Sequence, residues 1–168
     1  MLVKKRHPIS SKDLKSILEE VRKVAPEMLD SIDKKKAVEM VELEDGEKIY
    51  MQDGKPILIG HGGKVMPALT AAPAVLSRIA KVVVDMGAVP FVAKGADIMA
   101  PGIRSVTEGA KVGDVVIVQD EKYAKGLAVG ILLIEREQIL QKVKGKAVKN
   151  VHHVGDEVWN GMLAIKGS

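Results

Sequence analysis

The stretch Val82 to Val106, VVVDMGAVPFVAKGADIMAPGIRSV, constrains the fold of this chain more than any other segment. It reads as an apolar strand at Val82 to Val84, a turn at Asp85-Met86-Gly87, and a short helix opened by Pro90 and closed by Gly95. A second strand, Ile98 to Ala100, follows. Pro fixes φ where a helix begins and Gly admits the left-handed residue where one ends, so the punctuation sits where the backbone needs it. Pro101-Gly102 then predicts a turn with Gly at a position of positive φ.

The segments on either side extend this pattern. Ser10-Ser11-Lys12-Asp13 predicts a helix start capped by Ser10, with Asp13 reaching back. Leu14, Ile17, Leu18, Val21 and Val24 then recur at helical spacing until Ala25-Pro26, and Met28, Leu29 and Ile32 suggest one further short turn. Asp45-Gly46 and Asp53-Gly54 are hairpin signals between the extended runs Val38–Leu43, Lys48–Met51 and Pro56–Ile59. A three-stranded antiparallel meander against the first helix follows from them. Gly60-His61-Gly62-Gly63 reads as an interdomain turn, and Met66–Ala80 as helical around its prolines. Beyond the central stretch, Gly113-Asp114 leads into a strand at Val115–Gln119. Ala124–Ile134 is a long apolar strand whose interior Gly126 and Gly130 mark bulges or close backbone approach. Glu135–Val143 predicts a helix, Lys146–His153 a strand, and Val158-Trp159 a last strand. The expected fold class is α+β, with a small helix-plus-antiparallel-sheet domain over residues 1–78 and a small closed barrel over 79–168.

Composition narrows the function. No apolar run among the 168 residues approaches the ~20 needed to span a bilayer, and MLVKKRH lacks an apolar signal region. A cytoplasmic protein without membrane association is the expectation. The absence of cysteine removes zinc-thiolate sites and thiol nucleophiles together. A net charge of +4 and a pI near 9.2 permit a nucleic-acid partner. Only one Phe, one Trp and two Tyr are present, which disfavours a stacking platform and points to backbone, phosphate and shape contacts.

The motifs that could carry catalysis fail on inspection. Gly60-His61-Gly62-Gly63-Lys64 contains the Gly-x-x-Gly of KH domains, but a strand precedes it where a helix is needed. It resembles the His-Gly-Gly oxyanion loop of esterases, yet the chain has no Gly-x-Ser-x-Gly elbow. Leu58 and Val65 stand where a Walker motif needs Gly and Ser or Thr. His152 and His153 are adjacent on a strand and point to opposite faces, so they do not grip one ion, and one inward and one exposed histidine is the expectation. Carboxylate pairs such as Glu19-Glu20 read as solvated surface. No enzyme activity, cofactor or metal is expected.

The lysines are more suggestive. Lys4-Lys5-Arg6, Lys34–Lys36 and Lys142, Lys144, Lys146 and Lys149 form clusters, and solubility alone accounts for many such surfaces. Lys94 and Arg104 flank glycines where the backbone can come close to a ligand. A cation beside accessible backbone is what phosphate and sugar recognition requires.

Asp85-x-Gly-Ala, Gly95-Ala96 and Pro101-Gly102-Ile103, in this order, resemble the signature of the PUA domain, the RNA-binding module of pseudouridine synthases and archaeosine transglycosylases. From Ala124 onward, Lys144-Gly145, the Asn-x-His at Asn150 and His152, and Asp156-x-x-Trp159 resemble the malignant T-cell amplified sequence family and its archaeal relatives. The resemblance covers roughly Pro67 to Met162, and the first half of the chain carries no catalytic Asp motif of a pseudouridine synthase. It implies a PUA pseudo-barrel behind a small α+β domain. The implied role is binding structured RNA, at the tRNA acceptor end or the small ribosomal subunit, in initiation or recycling. A density-regulated-protein-like partner is the corresponding partner expectation. The PUA surface maps the RNA-binding residues onto Lys94, Gly95, Ala96, Pro101, Gly102 and Arg104, with Lys122 and Lys125 as neighbours. Two rivals make distinct demands. A protein-interaction adaptor requires basic residues scattered over the surface, and a small hydrolase requires a pocket that brings His61 near a carboxylate.

Overall fold

A computed structural model describes residues 3–71 and 73–166. Met1, Leu2, Ala72, Gly167 and Ser168, which fall at the ends of the two expected domains and inside the expected Met66–Ala80 helix, lie outside the described residues. The chain runs through β1 (Val3–Pro8), α1 (Ser11–Val24), a 3-10 turn (Pro26–Ser31), β2 (Glu39–Leu43), β3 (Lys48–Gln52), β4 (Lys55–His61), β5 (Lys64–Pro67) and α2 (Pro73–Leu76). It continues through β6 (Lys81–Val84), α3 (Val89–Val92), β7 (Ile98–Met99), a 3-10 turn (Ala100–Gly102) and β8 (Ile103–Val106). The last elements are β9 (Val115–Asp120), β10 (Gly126–Leu132), α4 (Arg136–Leu140), β11 (Lys146–His153) and α5 (Glu157–Lys166). Two compact units result, Met1–Arg78 with Gly155–Ser168, and Ile79–Val154.

The first unit is an antiparallel sheet in the order β1-β2-β3-β4-β5. The meander gains two strands over the sequence expectation. β1 is exposed along its whole length and so carries no apolar alternation to read. Its pairing with β2 brings Lys4 to 3.5 Å from Glu42 and Arg6 to 2.8 Å from Glu39. β5 forms because Gly62 and Gly63 both take positive φ, +56° and +78°, which closes a two-residue turn between paired His61 and Lys64. The Gly60–Lys64 loop is therefore a hairpin tip inside this unit. Val65 and Met66 join the sheet, and helix is confined to α2, since Pro67 and Pro73 each lack the N–H a longer helix needs. Helix α1 begins as expected, with the Asp13 N–H donating to Ser10 Oγ at 3.1 Å, and it buries Leu18 and Val21.

The strand expected at Val158-Trp159 is instead the start of α5. Asp156 Oδ1 accepts the Trp159 N–H at 2.7 Å, and Val158, Met162 and Ile165 are buried at helical spacing. Gly161 lets this helix lie close on the sheet, since a Cβ there would stand 3.0 Å from Leu43 Cδ1. Packing of α5 on the first sheet is why residues 155–168 group with the first unit, where the sequence division placed them with the second.

The second unit is a six-stranded, nearly closed pseudo-barrel in the order β7-β11-β10-β9-β6-β8, antiparallel except for the parallel pair β6 and β9. Its core is aliphatic, built from Val82, Val84, Val116, Val118, Leu132 and Val148 among others. The interior glycine Gly130 sits at a bulge in the β10–β11 register, where a Cβ would meet Val148 Cγ1 at 2.5 Å.

Candidate nucleic-acid interface

The site residues of the second unit are placed by a short chain of backbone and carboxylate contacts around Asp85. Its N–H donates to the Gly102 carbonyl at 2.9 Å, and its Oδ1 accepts the Ala88 N–H at 2.8 Å, which starts α3 beside the 3-10 turn. Gly102 is not at positive φ, contrary to the turn read from the sequence. The glycine lies close to α3, since a Cβ there would stand 3.3 Å from the Ala88 Cβ and the neighbour would have to give by a few tenths of an ångström. Pro101 is exposed beside it.

The loop between β9 and β10 closes on the same point. The Glu121 N–H donates to the Val84 carbonyl at 3.0 Å, and Arg104 Nε, on β8, donates to Glu121 Oε2 at 3.1 Å. Asp120, only 3% exposed, organises the loop from below. Its Oδ1 accepts the N–H groups of Lys122 and Tyr123, and its Oδ2 that of Lys125 at 3.0 Å. The Tyr123 hydrogen bond, followed by those of Lys125 and Lys122, holds the Asp120 carboxyl below the usual carboxylate range against the opposing effect of desolvation.

Lys94, Gly95 and Ala96 follow the other end of α3, in a turn where the Ala96 N–H donates back to the Phe91 carbonyl at 3.0 Å. Gly95 has φ +93°, and a Cβ would stand 2.9 Å from His153 Nε2. Asn150 Nδ2 donates to the carbonyls of Val92 (3.1 Å) and Ala96 (3.0 Å), which anchors this turn to β11. His153 pairs with Ala128, and the Val154 N–H donates to the Leu127 carbonyl at 3.0 Å, which ties this end of β11 to β10. α3 is thus tied at its start to the Gly102 turn and at its end to β11, while the loop is the tip of the β9–β10 hairpin, tied to β6 through Glu121. The structure brings Pro101, Gly102, Arg104, Lys122 and Lys125 around the Asp85 turn, and Lys94, Gly95 and Ala96 to the opposite end of α3.

Lys94, Arg104, Lys122 and Lys125 are exposed there. Elsewhere single members of the expected basic clusters are drawn into pairs, while Lys34, Lys35, Lys144 and Lys149 are exposed. Lys36 lies 3.0 Å from Asp53, Lys146 lies 3.1 Å from Asp97, and Lys142 Nζ donates to the Ile103 carbonyl. His152 is buried and His153 half-buried. His61 does meet a carboxylate, Glu47 Oε1 at 2.6 Å. The pair spans the exposed hairpin, while the cavity of about 460 Å³ in that unit is lined by other residues, among them Met28, Gln52 and Thr70. Among the described residues no group of three or more His, Asp or Glu side chains could hold a metal ion, and no helix is long and apolar enough to cross a membrane.

Comparison with known proteins agrees with this architecture. The PUA domain family matches residues 80–154, and a domain of unknown function (DUF1947) matches residues 5–72. An uncharacterized protein of Methanocaldococcus jannaschii is 41% identical over 95% of this chain and 98% of its own length. Translation machinery-associated protein 20 of Saccharomyces cerevisiae is 30% identical over 94% of this chain and 93% of its own. This chain belongs to the translation machinery-associated protein 20 and malignant T-cell-amplified sequence family. The crystal structure of a hypothetical protein from Pyrococcus horikoshii OT3 superposes with a TM-score of 0.80 at 36% identity, covering 94% of this chain and 99% of that one.

Within this family member, the motif that carried the resemblance has a physical role. Asn150 of the Asn-x-His pair is the clamp on the Gly95 turn, and its own N–H donates to Asp97 Oδ1 at 2.9 Å. That hydrogen bond, with help from Lys146, holds the Asp97 carboxyl below its ordinary value while partial burial opposes it. A carboxyl depressed in the folded state contributes stability above its unfolded pKa of about 3.9, and that contribution is lost as pH falls through the folded value. Asp97→Asn is accordingly expected to lower the urea midpoint at pH 6. The gap from the parent should narrow as pH falls below about 4. A gap independent of pH would remove the charge of Asp97 from the account.

Sequence reasoning missed Phe91 and Tyr123. Four aromatic residues are too few to suggest a stacking surface, yet these two are 65% and 68% exposed, in the middle of α3 and of the loop. Their signal was positional, since Phe91 follows Pro90 in the signature and Tyr123 sits among the loop lysines.

Proposed function

We propose that this chain binds structured RNA in translation through the face carried by α3 and the Glu121–Lys125 loop, with no chemical step of its own. The observation that carries this reading is the set of exposed cations Arg104, Lys122 and Lys125 around the β9–β10 loop, which Glu121 ties to β6 and β8, with exposed Lys94 at the end of α3. Phosphate recognition draws on such cations. The name of the Saccharomyces cerevisiae relative supports a place in translation. The RNA is the tRNA acceptor end or the small ribosomal subunit, the step is initiation or recycling, a density-regulated-protein-like chain is the partner, and the cytoplasm is the setting. Lys94, Gly95, Ala96, Pro101, Gly102, Arg104, Lys122 and Lys125 form the contact surface.

The test is anisotropy across a salt titration with intact tRNA, tRNA trimmed of its acceptor end, and purified small ribosomal subunits. Binding that weakens steeply with salt and drops on trimming supports acceptor-end recognition, and subunit binding alone supports the ribosomal site. Lys94→Ala with Arg104→Ala is expected to weaken binding by about 1–3 kcal/mol and to lower the salt slope by about one unit for each phosphate no longer neutralised. Glu121→Gln should act in the opposite direction, because it releases Arg104 from its carboxylate partner. No binding to any of the three at low salt would overturn the reading.

A further inference from the structure

We propose that Phe91 and Tyr123 are base-stacking platforms, so that this face selects RNA with unpaired nucleotides over continuous duplex. The inference rests on the RNA-binding reading above and adds to it the part of the nucleotide that is held.

The second unit contains two aromatic residues, and its core uses neither, being filled by valine, leucine, isoleucine and alanine. Both rings are instead among the most exposed large apolar side chains of the described residues. In the first unit the opposite holds, with Tyr50 buried and Trp159 half-buried. Burial is therefore not what places Phe91 and Tyr123. Phe91 lies in α3, three residues before exposed Lys94, and Tyr123 lies in the β9–β10 loop between exposed Lys122 and Lys125.

The positions are also held firmly. Phe91 is in a helix opened at Pro90, and its carbonyl accepts the N–H groups of Lys94 at 3.1 Å and Ala96 at 3.0 Å. Tyr123 is fixed by its own N–H on Asp120, and the Lys122 ammonium lies 5.3 Å from its ring centroid. The cation covers one face of the ring and leaves the other to a planar partner. A rigid ring loses little entropy on stacking, and a base offers a π-face whatever its identity. In A-form duplex the bases are stacked on one another and their faces are out of reach, so the partner is an unpaired loop or terminus. Cations beside each ring then hold the phosphates of the same nucleotides.

Three RNAs test this: a hairpin with a four-nucleotide single-stranded 3′ extension, the same hairpin blunt-ended, and the extended hairpin with abasic extension nucleotides, which keeps the phosphates and removes the rings. Phe91→Ala and Tyr123→Ala are each expected to weaken binding to the extended hairpin by roughly tenfold, with the salt slope unchanged, whereas Tyr123→Phe retains affinity. Abasic nucleotides should weaken the parent by a similar factor, and the Ala variants should lose little more on that RNA. Both side chains are largely exposed, so melting temperatures of the variants should match the parent and confirm that folding is intact. Equal affinity of the parent for abasic and ordinary extensions, or unchanged affinity of both Ala variants, overturns stacking while leaving the phosphate reading intact. Failure of the parent to bind any RNA overturns both. If Phe91→Ala abolishes binding to a protein while RNA affinity is unchanged, the rings belong to a protein interface and the proposal is overturned as well.

Discussion

Gly130→Ala is expected to destabilise the protein by about 3 kcal/mol, at the top of the usual range for overpacking a filled core. The methyl group would stand 2.5 Å from Val148 Cγ1 and 2.6 Å from the Lys149 carbonyl oxygen. Neither neighbour can give way cheaply. Val148 is fully buried in the barrel core, and the Lys149 oxygen belongs to a backbone strand paired with β10. The φ of Gly130 lies outside the left-handed region, so the effect is one of space and not of backbone conformation. Urea unfolding followed by circular dichroism reads it directly as a lower midpoint at constant slope. Val148→Ala in the same chain removes one obstacle and leaves the carbonyl, so it should return only part of the loss. A cost under about 0.5 kcal/mol for Gly130→Ala would show that the bulge relaxes freely, and close approach would no longer explain the glycine.

The second unit was largely legible in the sequence because its turns use residues with narrow backbone preferences. Pro90, Gly95, Gly113 and the interior glycines of β10 put the short helix and the strands close to where they lie. Gly102 reads from the sequence as a positive-φ glycine, whereas what marks it in the fold is close approach to Ala88, which leaves no trace in local sequence. The first unit was harder. β1 has no apolar face, and its partner is set by Glu39 and Glu42 more than thirty residues away. α5 was misread because Val158-Trp159 is too short to reveal a period, and Met162 and Ile165 were needed to complete it. At the candidate site, the cations and glycines could be named from their positions. The carboxylates that position them were missed. Asp97 acts through the backbone N–H of Asn150, which only the fold brings within reach, whereas Asp120 bonds the N–H groups two, three and five residues on, a local turn that the sequence reading passed over. The exposure of Phe91 and Tyr123 was invisible because a ring in a short helix or loop is equally able to turn inward.

Gly95→Ala tests the link between that fold and the face it builds, and its expected cost is about 2–4 kcal/mol in two parts. The first is conformational: at φ +93° an L side chain meets its own backbone, a penalty of about 1–2 kcal/mol. The second is contact with His153 Nε2 at 2.9 Å, on a ring whose Nδ1 lies 3.0 Å from the Val154 carbonyl oxygen. Another glycine of the same chain isolates the first part. Gly63 has φ +78° with open space around its Cβ position, so Gly63→Ala should show the conformational cost alone. The second part emerges as coupling in a double-mutant cycle with His153→Ala, in which Gly95→Ala should become less costly by about 1–2 kcal/mol. RNA binding supplies the functional readout. Shifting this turn moves Lys94 and the end of α3 relative to the loop, so Gly95→Ala should weaken binding even at temperatures where the variant is fully folded, whereas Gly63→Ala should not. Equal losses for the two substitutions would mean that His153 does not constrain the turn. Undiminished RNA affinity in folded Gly95→Ala would separate this end of α3 from the binding face and leave that face to Arg104 and the loop.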